Sequence, residues 1–239
     1  MSITEIISGV WERHEDEAYR QDQSHWRGVG RWENDGRWKA IGTKTLAGLT
    51  NIAAFAGLGP DFWTTKKTVL EWGPGGGANL FALAPFSSTY YGIDISQKNL
   101  DEASRMICEE GFKNFSGILV EGEPHTVEAS VEVPIDIFLS TAVFQHFPSK
   151  DYGAQVLATL YQVTAPGAIG LIQIRYDNGN ERFKPISEIN DYHKRHITAN
   201  AYALEEFNDL CAQTGFVPLY ICNILSSNNY AYFALRRKR

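Results

Sequence analysis

From residue 68 onward the chain alternates short apolar runs with stretches whose apolar positions recur every three or four residues. That is the pattern of strands followed by helices. Thr68–Trp72, Tyr90–Ile95, Phe115–Val120, Ile135–Ser140 and Ala168–Tyr176 predict five strands. Gly77–Pro85, Gln97–Glu110 and Asp151–Thr164 predict the helices between them, with Gly111 ending the second and Pro166-Gly167 closing the third. The fifth strand is an almost continuous apolar run, which suits a sheet covered on both faces. Ala201–Thr214 predicts another helix. Phe216–Leu225 and Tyr230–Leu235 predict two last strands joined by Ser226-Ser227-Asn228-Asn229. So short a join makes a hairpin, so the final strand is expected to run antiparallel. The sum is a doubly wound α/β fold with a seven-stranded, mostly parallel sheet.

The first 60 residues follow a different pattern. Ile3, Ile6, Ile7, Val10 and Trp11 lie at helical spacing and predict one helix over residues 2–20. Ile41, Leu46, Leu49, Ile52 and Phe55 predict a second over residues 38–57. Residues 22–37 between them are polar and glycine-rich and predict loop. The expected organisation is an N-terminal helical lid over 1–60 and a sheet domain over 61–239, with a substrate-side insertion at 176–200.

Composition narrows the class. The 239 residues are 44% apolar and 21% charged, which is ordinary for a globular chain that needs no staples. The charge of −6 argues against nucleic acid as a partner, because phosphate contacts require a basic face. Cys108, Cys211 and Cys222 form no C-x-x-C pair, so no disulfide framework and no metal site is expected. No apolar run approaches the roughly 18 residues of a membrane helix. The first residues turn acidic too soon for a signal peptide. These features point to a cytoplasmic protein, monomer or homodimer, with a small-molecule partner.

The sharpest chemical signal is Val69-Leu70-Glu71-Trp72-Gly73-Pro74-Gly75-Gly76-Gly77, a strand running into glycines at alternating positions, with a helix after them. Gly73 and Gly75 permit a tight turn and the close approach of a ligand that a Cβ would strike. Tyr91-Gly92-Ile93-Asp94-Ile95-Ser96 follows, with Asp94 at the end of the second strand, where a carboxylate can accept both hydroxyls of a ribose. Asp94 and Ser96 are equally suited to cap the next helix.

These two segments resemble the S-adenosylmethionine-dependent methyltransferases with a Rossmann-like seven-stranded sheet. Their first motif is acidic-x-Gly-x-Gly-x-Gly, which Glu71, Gly73, Gly75 and Gly77 match in full. The resemblance covers residues 68 to about 236. It implies S-adenosylmethionine as the cofactor. Glu71 would lie near the methionine ammonium, Gly73 and Gly75 beneath the methionine moiety, Asp94 on the ribose and Ile95 on the adenine. Glu123, in place of the usual Asp, would face the adenine amine. Ser140, ending the fourth strand, would lie beside the sulfonium. His146, in the following loop, falls where relatives place a histidine at the mouth of the site. It is a candidate base, since histidine takes a proton near neutral pH, and His25 is a second candidate.

Methyl transfer is an in-line displacement, so specificity must come from segments outside the sheet. Two are locally basic and aromatic: one with Tyr19, Trp26, Arg27 and Arg31, the other with Arg175, Tyr176 and His193. Arginines there could fork onto a carboxylate or phosphate. The expected function is methylation of a small molecule, foremost O-methylation of an aromatic or anionic metabolite. A carbon or nitrogen acceptor bearing phosphate or carboxylate, and cofactor binding without turnover, stand as alternatives. No Asn-Pro-Pro-Tyr-type segment follows the fourth strand, which disfavours amino methylation of bases.

Overall fold

A computed structural model describes residues 2–238. The helix expected over residues 2–20 is two helices, α1 (Ile3–Trp11) and α2 (Glu17–Gln23). The break follows from Asp16, whose carboxylate accepts the Tyr19 N–H at 2.9 Å and starts a new helix. The loop that follows contains a 3-10 turn, Gly30–Trp32. α3 (Asp35–Phe55) begins three residues before the expected start, because Asn34 caps it by accepting from the Arg37 N–H at 2.8 Å.

The sheet domain runs β1 (Lys67–Trp72), α4 (Ala78–Leu83), β2 (Ser87–Asp94), α5 (Gln97–Glu109), β3 (Phe115–Leu119) and β4 (Ile135–Ser140). It continues through α6 (Lys150–Val163), β5 (Thr164–Arg175), a short α7 (Tyr192–Arg195), α8 (Leu204–Thr214), β6 (Phe216–Leu225) and β7 (Tyr230–Arg237). The strand order is β3-β2-β1-β4-β5-β7-β6. β7 lies antiparallel between β5 and β6, and the other pairings are parallel. The doubly wound sheet and its antiparallel final strand are as the sequence pattern predicted.

Successive strand residues face opposite layers. Leu70, Phe138, Ile172 and Phe233 pack with α6 and α8 in one core cluster. Val69, Ile137, Leu171 and Ala234 pack in the other, with Trp38, Leu49 and Ile52 of α3 and Leu80 of α4. Thus α3, although within the first 60 residues, is a covering layer of the sheet. α1 instead contributes Ile7 and Val10 to the first cluster, at the end of the sheet where β1, β2 and β4 terminate. The topology reverses there between β1 and β4, the usual place for a ligand crevice in such sheets.

Candidate functional site

At that crevice lies a cleft with about 680 Å³ of empty space, its open mouth included. Trp72, Gly73, Pro74, Gly75, Ile93, Asp94, Ile95 and Val120 form the wall from the first three strands. Thr141, Ala142, Val143, His146 and Phe147 come from the segment after β4. Ile7 and Trp11 of α1, Gln23, Ser24 and His25, and Tyr192 of α7 close it from above.

The glycine turn has backbone angles that only glycine adopts easily: φ is +80° at Gly73 and +52° at Gly75. A Cβ on Gly73 would run into Val143, and one on Gly75 into the carbonyl of Ser24. The crowding expected from a ligand therefore comes from protein. Ser24 also accepts the Gly76 N–H at 2.7 Å, so the N-terminal loop is seated directly on the turn. Gly77, at φ +84°, starts α4 and lies outside the cleft.

Asp94 is buried and lines the cleft. Its carboxylate accepts from the Ser96 N–H at 3.0 Å and the Gly75 N–H at 3.3 Å. Desolvation still dominates and pushes its pKa up to about 6. Glu71 is buried too, but behind the turn and not on the cleft wall. It accepts from Asn79 Nδ2 at 2.6 Å and from the Tyr90 hydroxyl at 2.5 Å. Burial raises its pKa to about 7. Asn79 Nδ2 also donates to Thr141 Oγ1 at 2.9 Å, so Glu71 braces a residue of the cleft floor. Ser140 Oγ is buried and donates to the Trp72 carbonyl at 2.9 Å, and Thr141 takes its place on the wall. Glu123 is exposed and stands off the cleft, and Ile95 and Val120 provide apolar surface beside Asp94.

Both candidate bases line the cleft. His146 Nδ1 lies 2.9 Å from the His196 carbonyl, which can only accept. Nδ1 therefore carries the proton and Nε2 is left as the acceptor, 3.2 Å from Gln145 Nε2. Burial pushes the His146 pKa down to about 3, so the ring is neutral at ordinary pH and a weaker base than the sequence suggested. His25 has φ +59°, packs edge-on against Trp32 at 4.5 Å and sits over the glycine turn. Burial lowers its pKa to about 4.

None of the seven residues expected to grip substrate lines the cleft. Arg27 pairs with Asp35 at 2.5 Å and Glu110 at 2.8 Å, and Arg31 pairs with Asp22 at 2.8 Å. Arg175 is buried, donating to the Ile197 carbonyl at 2.6 Å and to the Tyr230 hydroxyl at 3.2 Å, so it anchors the insertion. Tyr176 pairs with Tyr202 in an isolated bridge, and His193 is exposed. The Tyr19 hydroxyl donates to His196 Nε2 at 3.1 Å, since His196 Nδ1 faces the His193 carbonyl. Trp26 donates to Asn99 Oδ1 at 3.0 Å. Each side chain meets a partner brought near by the fold, which local composition does not reveal.

Trp11, Tyr192, Ser24 and Asn99 were not among the candidate site residues, although Ser24 and Tyr192 fall within the two substrate-side stretches. Trp11 Nε1 donates to the Tyr192 hydroxyl at 3.0 Å, and that hydroxyl donates to the His146 carbonyl at 2.7 Å. The Trp11 ring lies 4.8 Å from that of His146. Trp11 closes an apolar helical stripe, the one signal that marked it. Ser24 Oγ is buried and without a partner among the described residues. A buried orphan hydroxyl beside a bare glycine turn fits a polar ligand end there. With Asp94 for vicinal hydroxyls and Ile95 and Val120 for a flat base, the donor set fits an adenosyl cofactor.

The fold is that of the Rossmann-like S-adenosylmethionine-dependent methyltransferases. Residues 70–169 match the family model described as a methyltransferase domain. Enniatin synthase of Fusarium equiseti is 31% identical over 119 residues, 49% of this chain but 4% of that protein. The enniatin synthetase of Fusarium oxysporum matches to the same extent, so the chain spans a small fraction of the length of these curated relatives. The fold is shared with magnesium protoporphyrin IX methyltransferase of Synechocystis PCC 6803 with bound cofactor, at TM-score 0.65 and 13% identity, covering 100% of this chain and 98% of that one. An N-methyltransferase of Bradyrhizobium japonicum WM9 bound to S-adenosyl-L-homocysteine gives TM-score 0.56 at 13% identity, covering 73% and 80%. No helix among the described residues is long and apolar enough to cross a membrane. The described His, Cys, Asp and Glu residues form no group of three or more placed to hold a metal.

Proposed function

We propose that the chain methylates a hydroxyl of a small, planar, uncharged molecule, using S-adenosylmethionine. The observation that carries this reading is that one cleft, between aromatic walls, is lined by both the Asp94 carboxylate and the His146 ring, whose Nε2 is the unprotonated nitrogen and meets only the Gln145 amide. When bound, the cofactor supplies an electrophilic methyl group. Asp94 accepts the ribose hydroxyls, and Ile95 and Val120 pack on the base. Thr141, braced through Asn79 by Glu71, sits on the floor beside the reacting atoms. With the acceptor hydroxyl in place of the Gln145 amide, His146 Nε2 would accept its hydrogen bond and take its proton as the oxygen–methyl bond forms and the donor's sulfur–methyl bond breaks. Trp11, Phe147 and Tyr192 orient the acceptor and exclude water. The first 60 residues, through α1, α2 and the loop after them, act as the lid, and the 176–200 insertion contributes the acceptor side through Tyr192.

The acceptor is aromatic rather than anionic in this reading. No Arg or Lys is among the described residues lining the cleft, and Arg27, Arg31 and Arg175 are committed to partners elsewhere. A buried anion without a cation would face the full desolvation cost. Transfer of labelled methyl from S-adenosylmethionine to neutral phenols, against matched benzoates and phenyl phosphates, tests this. Label in the neutral phenols alone is expected, and exclusive transfer to the anions would overturn it. The depressed pKa of His146 favours a second reading, transfer by positioning alone to a carbon or nitrogen acceptor, and label in aromatic amines or enols but not phenols would select it.

A further inference from the structure

Asn99, in the first turn of α5, is buried and touches three elements at once. Its Oδ1 accepts from Arg20 Nη1 of α2 at 3.2 Å and from Trp26 Nε1 of the following loop at 3.0 Å. Its Nδ2 faces both oxygens of Asp94, each at 3.4 Å. Guanidinium and indole are donors only, so they force the amide oxygen toward themselves. The NH2 group is thereby turned onto the carboxylate that faces the cleft. Were the N-terminal segment lifted away, only the two long contacts to Asp94 would hold the amide in that sense.

The same turn of α5 receives the lid at two more points. Glu12 Oε2 accepts from Ser96 Oγ at 2.6 Å and from the Lys98 N–H at 3.2 Å, and Glu17 pairs with Lys98 Nζ at 3.3 Å. The Arg20 side chain is fully buried, pairs with Glu17 at 2.6 Å and lies 4.9 Å from the Trp26 ring. Arg20 does not line the cleft.

We infer that Asn99 is a positioning residue through which the seating of the N-terminal segment sets the Asp94 carboxylate for the ribose of the cofactor. This rests on the reading of the cleft as a cofactor site. Arg20 and Trp26 then contribute to cofactor affinity without touching the cofactor. By linkage, the cofactor holds the segment down to the same extent.

Calorimetric titration with S-adenosylhomocysteine tests this on the full chain, with Arg20→Met, Asn99→Ala, their double variant and Asn99→Asp. Thermal unfolding without ligand serves as the check of folding. Arg20→Met and Asn99→Ala are each expected to weaken binding by roughly 5- to 50-fold. The double variant should bind no more weakly than Asn99→Ala alone, because Arg20 acts through Asn99. Asn99→Asp keeps shape and still accepts from Arg20, but sets a second carboxylate against Asp94, so it should bind at least as weakly as Asn99→Ala. Hydrogen exchange over residues 16–26 should slow on ligand addition in the wild type and not in Asn99→Ala. Trp26→Phe, which removes only the indole N–H, replaces Arg20→Met if that variant does not fold. Wild-type affinity in the variants of Arg20 or Trp26, or losses that simply add in the double variant, would overturn the inference. No binding to the wild type would instead overturn the reading of the cleft itself.

Discussion

The wall of the cleft formed by β1 and β2 comes from two short segments, Trp72–Gly75 and Ile93–Ile95, whereas the opposite wall gathers residues from α1, the loop at 23–25, the segment after β4 and α7. The first wall is shaped by backbone: positive φ angles at the glycines and N–H groups turned onto Asp94. The second is shaped by side-chain contacts between residues as much as 181 positions apart, as in the bond from Trp11 to Tyr192. A wall set by backbone geometry leaves a local trace in sequence. A wall set by long-range packing does not. The two should also fail differently: damage to the first should cost cofactor affinity, damage to the second turnover.

The largest effect is expected at the glycine turn. Gly75→Val forces a β-branched residue to φ +52° and pushes it into the Ser24 carbonyl. Binding of S-adenosylhomocysteine should fall below detection by calorimetry, with a lowered melting temperature as the lid loses its seat. Near-wild-type affinity would mean that the turn does not shape the site. On the other wall, His146→Ala should lower kcat by roughly 10²–10⁴ while leaving cofactor affinity near wild type. Equal losses in kcat and in affinity would erase the division between walls. Asp94→Ala should weaken cofactor binding by about 1–3 kcal/mol through the unpaired ribose hydroxyls, with kcat at saturating cofactor changed far less.

The buried carboxylates and imidazoles shift stability in opposite senses. Glu71, raised from 4.5 to about 7, contributes stability that is complete below about pH 4.5 and lost as pH rises through 7. His25 and His146, lowered to about 4 and about 3, contribute stability present above about pH 6.5 and lost as pH falls through those values. Glu71→Gln should flatten the loss between pH 4.5 and 7, an effect of roughly 3 kcal/mol for a shift of this size. Melting temperatures of wild type and variant across pH 4–8 measure it, and parallel curves would show that Glu71 keeps its ordinary pKa. The smallest effect belongs to Arg31→Ala. Its pair with Asp22 is half-exposed, so a loss under about 1 kcal/mol is expected, with no change in KM for a phenolic acceptor.

This division explains what the sequence disclosed. The strand order's antiparallel end was legible from the four-residue join after Leu225, and the cofactor wall from glycines at alternating positions and an acid closing β2. His146 was legible as a residue near the site, but not as a weakened base, because its pKa depends on burial beneath Trp11 and Tyr192, which are far away in sequence. The partners of the arginines were not legible, because charge in a local stretch says nothing of what the fold brings to it: Asp35 and Glu110 to Arg27, Asp22 to Arg31 and the Ile197 carbonyl to Arg175. Asn99 left no trace at all: a polar residue in the first turn of a helix is commonplace, and its role exists only once α2 and the Trp26 loop are folded over it.

The central claim is that one cleft holds the adenosyl group against Asp94 and leaves the space beneath Trp11 and His146 for the acceptor. A crystal structure of the chain with S-adenosylhomocysteine tests it most directly. The account predicts ribose hydroxyls within hydrogen-bond reach of the Asp94 carboxylate, the purine against Ile95 and Val120, and the sulfur turned toward Thr141 and His146. Ribose density away from Asp94, or a sulfur facing away from His146, would contradict it.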